Sequence, residues 1–484
     1  MLFNTFEFIF FFLPIVWIGY FLLKKVKLVT GAKLWLIAGS LFFYSWWNIA
    51  YLPLLLGSLF VNFGIGTLLS KKDTEIHRKA VLTWGIVLNA ALLGYFKYSD
   101  FFLMNVNAVM PGELSLLNLA LPLAISFFTF QQIAYLVDAY RFEAKDYTFL
   151  DYALFVTFFP QLIAGPIVHH KEVMPQFEKM KNHGIQLNNV SAGLFIFTMG
   201  LFKKVGIADT LSVFVNEGFR QPESLTFIEG WAVSLSYTFQ LYYDFSGYSD
   251  MAIGAALLFN IKLPVNFFSP YKALSIQDFW RRWHMTLSQF LTKYIYIPLG
   301  GNRKGRVRTL QNIMIVFLIS GFWHGAGWTF IFWGFLHGLA SVVQNIWKSF
   351  GLKLNKYAAW FITFNFVNAA WVFFKAETMT DAWLVLKSMA GLNGFVVSSA
   401  VMPPAWAEFF QSIGAGTANF SISMEQWDLW FLFAVLILTL SLKNSIQWKE
   451  QFKPTIAYSV AIAVLFSYSI LNLTKISEFI YFNF

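Results

Sequence analysis

Long uncharged stretches recur through this chain, at residues 8–23, 34–70, 80–96, 114–137, 152–168, 184–202, 309–347, 357–374 and 454–474. A helix that crosses a bilayer needs roughly 20 apolar residues. Away from water, a backbone so rich in such stretches can pair its polar groups only within helices or a closed barrel. Runs of this length, without strict alternation, select the helix. Only 12% of the 484 residues are charged and 57% are hydrophobic, far from the composition of a soluble domain. The expected fold is therefore an all-α integral membrane protein. The 34–70 and 309–347 runs are long enough for two passes each, with breaks expected at Pro53 and near Gly325 and Gly327. Weaker spans near 230–262 and 429–442 bring the expected total to about 11–13 transmembrane or re-entrant helices.

The N-terminus begins apolar and is followed by Lys24, Lys25 and Lys27, which reads as a retained first span rather than a cleaved signal. Basic residues gather in cytoplasmic loops, so the N-terminus is expected to face outward, across a bacterial inner membrane. Counting spans forward puts Lys71, Lys72, Arg78, Lys79, Arg141 and Lys145 on the cytoplasmic side as well. This bias, together with contact with anionic membrane lipids, accounts for the net charge of +10. The basic residues lie on separate short loops and form no stripe with interleaved aromatics, which argues against a nucleic-acid partner. With no cysteine, disulfides, thiolate metal sites and thiol nucleophiles are excluded.

No internal repeat or low-complexity linker divides the chain, so residues 1–484 read as one membrane domain with a motif core at 240–340 and an aromatic tail at 479–484. Three segments are less apolar: 169–189, 262–308 and 391–428. Within the second, Phe279, Trp283, Thr286, Leu287, Phe290 and Leu291 recur at steps of three and four. The spacing predicts one amphipathic helix from Asp278 through Lys293 lying at the cytoplasmic interface. Pro298, Gly300 and Gly301 end it, and Arg303, Lys304 and Arg306 follow, either as an ordinary positive-inside loop or as a phosphate contact.

Ionisable groups at membrane depth are costly and tend to face a bundle interior or a wet cavity. Of the histidines, His77 and His183 lie in polar segments and His169 and His170 just after a span, and these four are expected to be solvated or interfacial. His284, His324 and His337 remain. Trp323, His324 and Trp328 share a glycine-rich turn, and His337 follows 13 residues after His324; glycine beside histidine lets a backbone or ligand come close. Asp244, Ser246 and Asp250 add a second polar group in apolar surroundings, with Arg281 and Arg282 as candidate partners for the carboxylates. No metal-ligand spacing is present, so no metal is expected. A proton-coupled transporter or flippase for a polysaccharide precursor is the competing class, although the matched interrupted repeats typical of transporters are missing.

The motifs AGPI (Ala164 to Ile167), YYDFSGYSDMAIG (Tyr242 to Gly254), FWRRWHMTLSQFL (Phe279 to Leu291), YIPLGGNRKG (ending at Gly305) and GFWHGAGWTFIFWGFLHG (Gly321 to Gly338) closely resemble the membrane-bound O-acyltransferase family. Within it the chain resembles the bacterial branch that O-acetylates polysaccharides, and its LFFYSWWN segment (Leu41 to Asn48) is slightly more similar to peptidoglycan-modifying members than to alginate ones. The resemblance covers nearly the whole length. It implies a ring of helices around a thinned centre, with a funnel from each side. It also implies that His324 is the catalytic histidine and His284 the second family position.

The resemblance further implies acetyl-coenzyme A as cytoplasmic acyl donor, no tightly bound cofactor, and a periplasmic partner of the SGNH serine-hydrolase type that modifies the polysaccharide. His284, beside Arg281 and Arg282, would position the donor or contact the oxyanion. Arg303, Lys304 and Arg306 would neutralise coenzyme phosphates. The terminal FIYFNF (Phe479 to Phe484) resembles an aromatic motif found in this branch and in the small partner of the teichoic-acid D-alanylation system. Tyr481 would then carry the acyl group; the plainer reading is an aromatic interface anchor.

Overall fold

Helices follow the apolar runs in the computed structural model, which describes residues 1–71, 77–110, 112–144, 147–179, 184–398, 404–412, 414–473 and 480. The chain opens with α1 (Leu13–Lys25), entered through a π-helical turn at Glu7–Phe12, then α2 (Val29–Ser45), α3 (Leu52–Ser70) and α4 (Arg78–Asn107). Next come α5 (Ile125–Tyr140), α6 (Phe149–Thr157), α7 (Phe159–Leu162) and α8 (His170–Glu178). A second π-helical segment, Lys203–Ala208, joins α9 (Leu187–Phe202) to α10 (Asp209–Arg220), and α11 (Phe227–Leu258) follows. The motif region forms α12 (Ile276–Trp280), α13 (Met285–Leu291), α14 (Arg306–His324) and α15 (Trp328–Ser349). The chain continues through α16 (Lys356–Lys375), α17 (Met379–Met389), α18 (Pro404–Ser412), α19 (Gln426–Ser441), α20 (Ser445–Gln451) and α21 (Ile456–Leu471).

Both expected hairpin breaks are present. Between α2 and α3 the helix stops at Trp46, Asn48 caps the backbone N–H of Ala50, and Pro53 then sits in the first turn of α3. Proline is accepted there because its missing N–H has no helical partner to lose. Between α14 and α15 the break falls at extended Gly325 and Gly327. Among the described residues, six helices are long and apolar enough to cross a membrane alone, and a seventh span arises if α19 and α20 are one helix bent by 53°. The other apolar runs are shared among shorter, bent or buried helices. The only strand pairing among the described residues is a short parallel contact of Val396–Val397 with Gly416–Thr417, in the third polar segment.

The centre of the molecule is α11. Only Phe227, Ile228, Trp231 and Leu235 escape full burial along its length, the mark of a helix surrounded by protein on every side. α9 crosses it through two glycine contacts one heptad apart. A Cβ placed on Gly200 would lie 2.5 Å from the carbonyl oxygen of Gly247, and one on Gly247 would lie 2.8 Å from that of Gly200. Gly193 and Gly254 repeat the arrangement, with 2.9 and 2.7 Å. In a membrane, where water exclusion gives no net drive between helices, backbone contact of this kind supplies the van der Waals attraction.

The structure corrects one expected element. Residues 278–293 are not one interfacial helix: α12 ends at Trp280, His284 adopts a left-handed conformation (φ 42°, ψ 53°), and α13 starts at Met285. The six apolar positions read from the spacing are all buried, so the face was legible and the continuity was not. The break arises because an extended segment pairs with it from outside the window: Phe268 N–H donates to the Arg282 carbonyl at 2.9 Å, and Met285 N–H to the Asn266 carbonyl at 2.9 Å. The element turns back into the core instead of lying along the surface.

If the α9–α11 crossing is packed as described, Gly200→Leu drives a side chain into backbone and costs at least the about 1–3 kcal/mol typical of overpacking. Gly94→Leu, where the added carbon meets nothing within 4 Å, serves as the control. Size-exclusion profiles and melting of the detergent-solubilised protein are expected to show loss of the monodisperse species for the first variant only.

Candidate active site

The α14–α15 hairpin positions His324. Its helices touch backbone to backbone: a Cβ on Gly321 would lie 2.4 Å from the Phe330 carbonyl, and one on Gly334 would lie 2.5 Å from that of Phe317. Ring against glycine occurs at the turn as well, where Phe330 covers Gly325. The glycines beside the histidines thus admit protein rather than leaving open space. His324 is the last residue of α14 and only 2% exposed. Its ring packs against Trp323, Trp333 and Phe374, with centroids 4.9, 5.1 and 5.2 Å away.

Lys97 of α4 holds the end of α14. Its Nζ donates to the carbonyl of Trp323 at 2.6 Å and to that of His324 at 3.2 Å. Helix C-termini carry unpaired carbonyls and partial negative charge, so an ammonium is favoured there. Sequence reasoning stopped the run at residue 96 and took Lys97 for its end; α4 continues to Asn107 with this lysine turned inward.

His284 faces the same site from the α12–α13 break. Its ring centroid is 6.4 Å from that of His324, and Phe245 of α11 meets it edge-on at 4.9 Å. His337 stands apart. Trp333 lies between, 5.1 Å from His324 and 4.8 Å from His337, and the indole N–H of Trp280 donates to His337 Nδ1 at 3.2 Å. That contact makes His337 a neutral ring anchoring α12 to α15, not a third member of the pair. Trp328, expected in the pocket, is 59% exposed and donates to Asn105 at the start of α15.

The acidic pair on α11 has other partners than the arginines expected from sequence. Asp250 pairs with Lys203 at 2.6 Å, and Ser445 of α20 joins them. Asp244 pairs with Lys204 at 2.7 Å, and Lys204 also meets Asp209 at 2.7 Å. Gly247 lies midway between the two aspartates, and a Cβ there would come within 3.2 Å of Lys203 and Lys204. The glycine crossing therefore brings the lysines to their carboxylates. Arg281 is exposed, and Arg282 is held by Asp278 at 2.9 Å. Ser246 is buried on α11 between the two ion pairs. The backbone N–H of Ile480 donates to Asp244 Oδ2 at 3.0 Å, which brings Ile480 to this cluster. Tyr481 itself, like Lys72, Lys145 and His183, lies outside the described residues.

A further cluster gathers around His169 and His170, which the sequence places only in a solvated or interfacial setting. His170 is 1% exposed, and Asp138, with no exposure, receives its Nε2 at 2.9 Å, Lys293 at 3.0 Å and the Tyr294 hydroxyl at 2.8 Å. His169 Nε2 lies 2.6 Å from the same carboxylate. Asp138, His169 and His170 could hold a metal ion geometrically; the Lys293 ammonium already supplies positive charge at that point. At the rim, Lys171 holds the Glu143 carboxyl below its ordinary range. An aspartate inside the apolar Ile125–Tyr140 helix was the available signal.

Two cavities flank the histidine pair. One of about 380 Å³ is lined by Gln277, Trp280, Ser288, Asn302, Thr309 and Gln344 among others, and reaches Ser320, one turn before His324. Arg303, Lys304 and Arg306 follow its Asn302 lip as exposed side chains, Arg306 being bonded to Ser349. The other, about 300 Å³, is lined by Lys97, Asp100, Leu121, Gly325, Ala326 and Phe330, immediately after His324. His324 belongs to neither lining.

Residues 46–376 match the family model described as MBOAT, membrane-bound O-acyltransferase family. The chain is 47% identical to the peptidoglycan O-acetyltransferase of Helicobacter pylori, over 100% of this chain and 98% of that protein. It is 39% identical to a probable alginate O-acetylase of Pseudomonas putida, covering 82% of each. A teichoic acid D-alanyltransferase of Streptococcus thermophilus is 26% identical over 72% of this chain and 97% of that protein.

Removing Lys204 leaves Asp209 and Asp244 buried without their cation, so Lys204→Met is expected to cost about 3–5 kcal/mol, as for other broken buried pairs. Adding Asp244→Asn to it should recover part of the loss. Thermal melts of the purified single and double variants read this directly.

Proposed function

The chain belongs to the membrane-bound O-acyltransferase family and is a multi-pass membrane acyltransferase, and from that premise we propose that it takes acetyl from cytoplasmic acetyl-coenzyme A and passes it across the bacterial inner membrane to hydroxyls of a cell-envelope polysaccharide. Peptidoglycan is the acceptor favoured, on the 47% identity along the full length against 39% along 82% for the alginate relative. Family membership displaces the transporter reading.

The observation that carries the proposal is the pair of histidines, 6.4 Å apart, with one cavity reaching Ser320 before His324 and another lined by Gly325 and Ala326 after it. The first opens beside Arg303, Lys304 and Arg306, which suit the phosphates of the coenzyme and, by the positive-inside bias, face the cytoplasm. Its amide- and hydroxyl-bearing side chains suit the amides of a pantetheine arm, which would bring the thioester toward Ser320. The second cavity would receive the acceptor from the periplasmic side, the side assigned to the N-terminus. Because His324 lines neither, donor and acceptor must each displace the aromatic rings around it.

In the reaction, a hydroxyl oxygen attacks the thioester carbonyl while His324 takes the hydroxyl proton. The carbon–sulfur bond breaks, and the same proton goes to the departing thiolate. General-base help of this kind contributes about 10²–10⁴-fold. His284 completes the site. The acceptor hydroxyl in our reading is that of Tyr481, supported by Ile480 reaching Asp244, whose neighbour Phe245 touches His284. The acetyl group would then pass to a periplasmic serine-hydrolase-like partner and from its serine to the sugar. No tightly bound cofactor is required.

His324→Ala is expected to abolish polymer acetylation and acetyl transfer from labelled acetyl-coenzyme A while the protein still inserts and melts normally; undiminished transfer would overturn the assignment. For the relay, mass spectrometry of the C-terminal peptide after exposure to donor should find acetyl on Tyr481. Normal transfer by Tyr481→Phe would remove that step.

A further inference from the structure

Donor and acceptor accounting around Asn266 decides how His284 can act. Asn266 is 1% exposed, in the segment that clamps the α12–α13 break. Its Oδ1 is 3.3 Å from the backbone N of Thr286, 2.9 Å from the Thr286 hydroxyl and 3.1 Å from Nδ1 of His284. A backbone N–H can only donate, so the atom facing it must be the amide oxygen. The Thr286 hydroxyl accepts from the Ile167 N–H at 3.0 Å, which leaves its own hydrogen for the same oxygen. The amide NH₂ turns instead toward Ser249, 3.5 Å away. With two fixed donors identifying the oxygen, His284 Nδ1 must also donate.

On the functional reading above, we infer that Asn266 is a positioning residue that fixes hydrogen on Nδ1 of His284, so that the ring, kept neutral by its full burial, has its lone pair on Nε2. The tautomer of a histidine is set by the bond its other nitrogen makes. His284 therefore presents an acceptor to the site. It accepts a hydrogen bond that orients the group reacting beside His324, which remains the base, and, while neutral, gives no hydrogen bond from Nε2 to an oxyanion. This reverses the alternative in which His284 stabilises the oxyanion. The left-handed backbone at His284 serves the same end: it is held by the Met285 N–H on the Asn266 carbonyl, so one residue fixes both the strained main chain and the ring.

The direct test is nitrogen NMR of the ¹⁵N-histidine-labelled wild-type protein in lipid, with the His284→Gln protein identifying the signal. Hydrogen on Nδ1 is expected; hydrogen on Nε2 alone overturns the inference. Kinetics give the second arm. Asn266→Asp can only accept, as all three contacts require; burial of its carboxylate is expected to lower the melting temperature, while transfer per folded protein should stay within roughly tenfold. Asn266→Leu should lose kcat by on the order of 10²–10⁴, the range of a lost or mis-set base, with KM for acetyl-coenzyme A little changed. Asp and Leu variants that fold and fall equally would count against the assignment. Were wild-type protein inactive toward acetyl-coenzyme A, the acetyl reading would fail while the NMR result still decided the tautomer.

Discussion

The contact of α9 with α11 at Gly200 and Gly247 sets much of what the centre of this protein can contain. Two lysines and three aspartates lie near these helices where no bulk water screens them, and each must find its counter-charge at contact distance. That requires the π-helical Lys203–Ala208 segment to come against the backbone of α11, and only glycine at 247 leaves room. The neutralised cluster then lets α11 carry the polar motif through the core and hold Phe245 against His284.

The α14–α15 hairpin uses the same device at Gly321 and Gly334 and places a histidine where α14 ends. Lys97 gathers the terminal carbonyls from the opposite helix. Each of the two rings is thus fixed through its own backbone: His324 by a lysine on the carbonyls behind it, His284 by Asn266 on the amide ahead of it. Neither anchor is an ionised side chain bonded to the ring. Rings held in this way keep their side-chain nitrogens for the reacting groups, and the nearby Lys97 ammonium is spent on helix-end carbonyls.

How much could be read beforehand varied with the range of the interactions. Local signals served well: the two hairpin breaks, the buried face of 279–291, and the motifs that carry the family resemblance. Pairings between distant segments were read poorly. Arg281 and Arg282 follow the acidic motif within the same motif core, yet Lys203 and Lys204 precede it and reach it through a helix crossing. The treatment of a charged residue as the end of a span hid Lys97, Lys203 and Lys204, because composition cannot say whether a lysine at the edge of an apolar run turns outward or inward. The burial of His170, expected to be solvated or interfacial, was hidden for the same reason, its partner Asp138 being 32 residues away.

The amino-acid sequence alone determined that this chain is a helical membrane protein, since backbone groups without water must pair within a helix. It also determined which histidines would be expensive to bury, and, through long motifs, its family. The tertiary structure decided which charges neutralise one another, which ring nitrogen of His284 carries hydrogen, and that His337 is walled off by Trp333 while His284 joins His324. Those outcomes depend on distances of a few ångströms between segments remote in the chain, and hydrogen-bond and ion-pair energies fall away over that same distance.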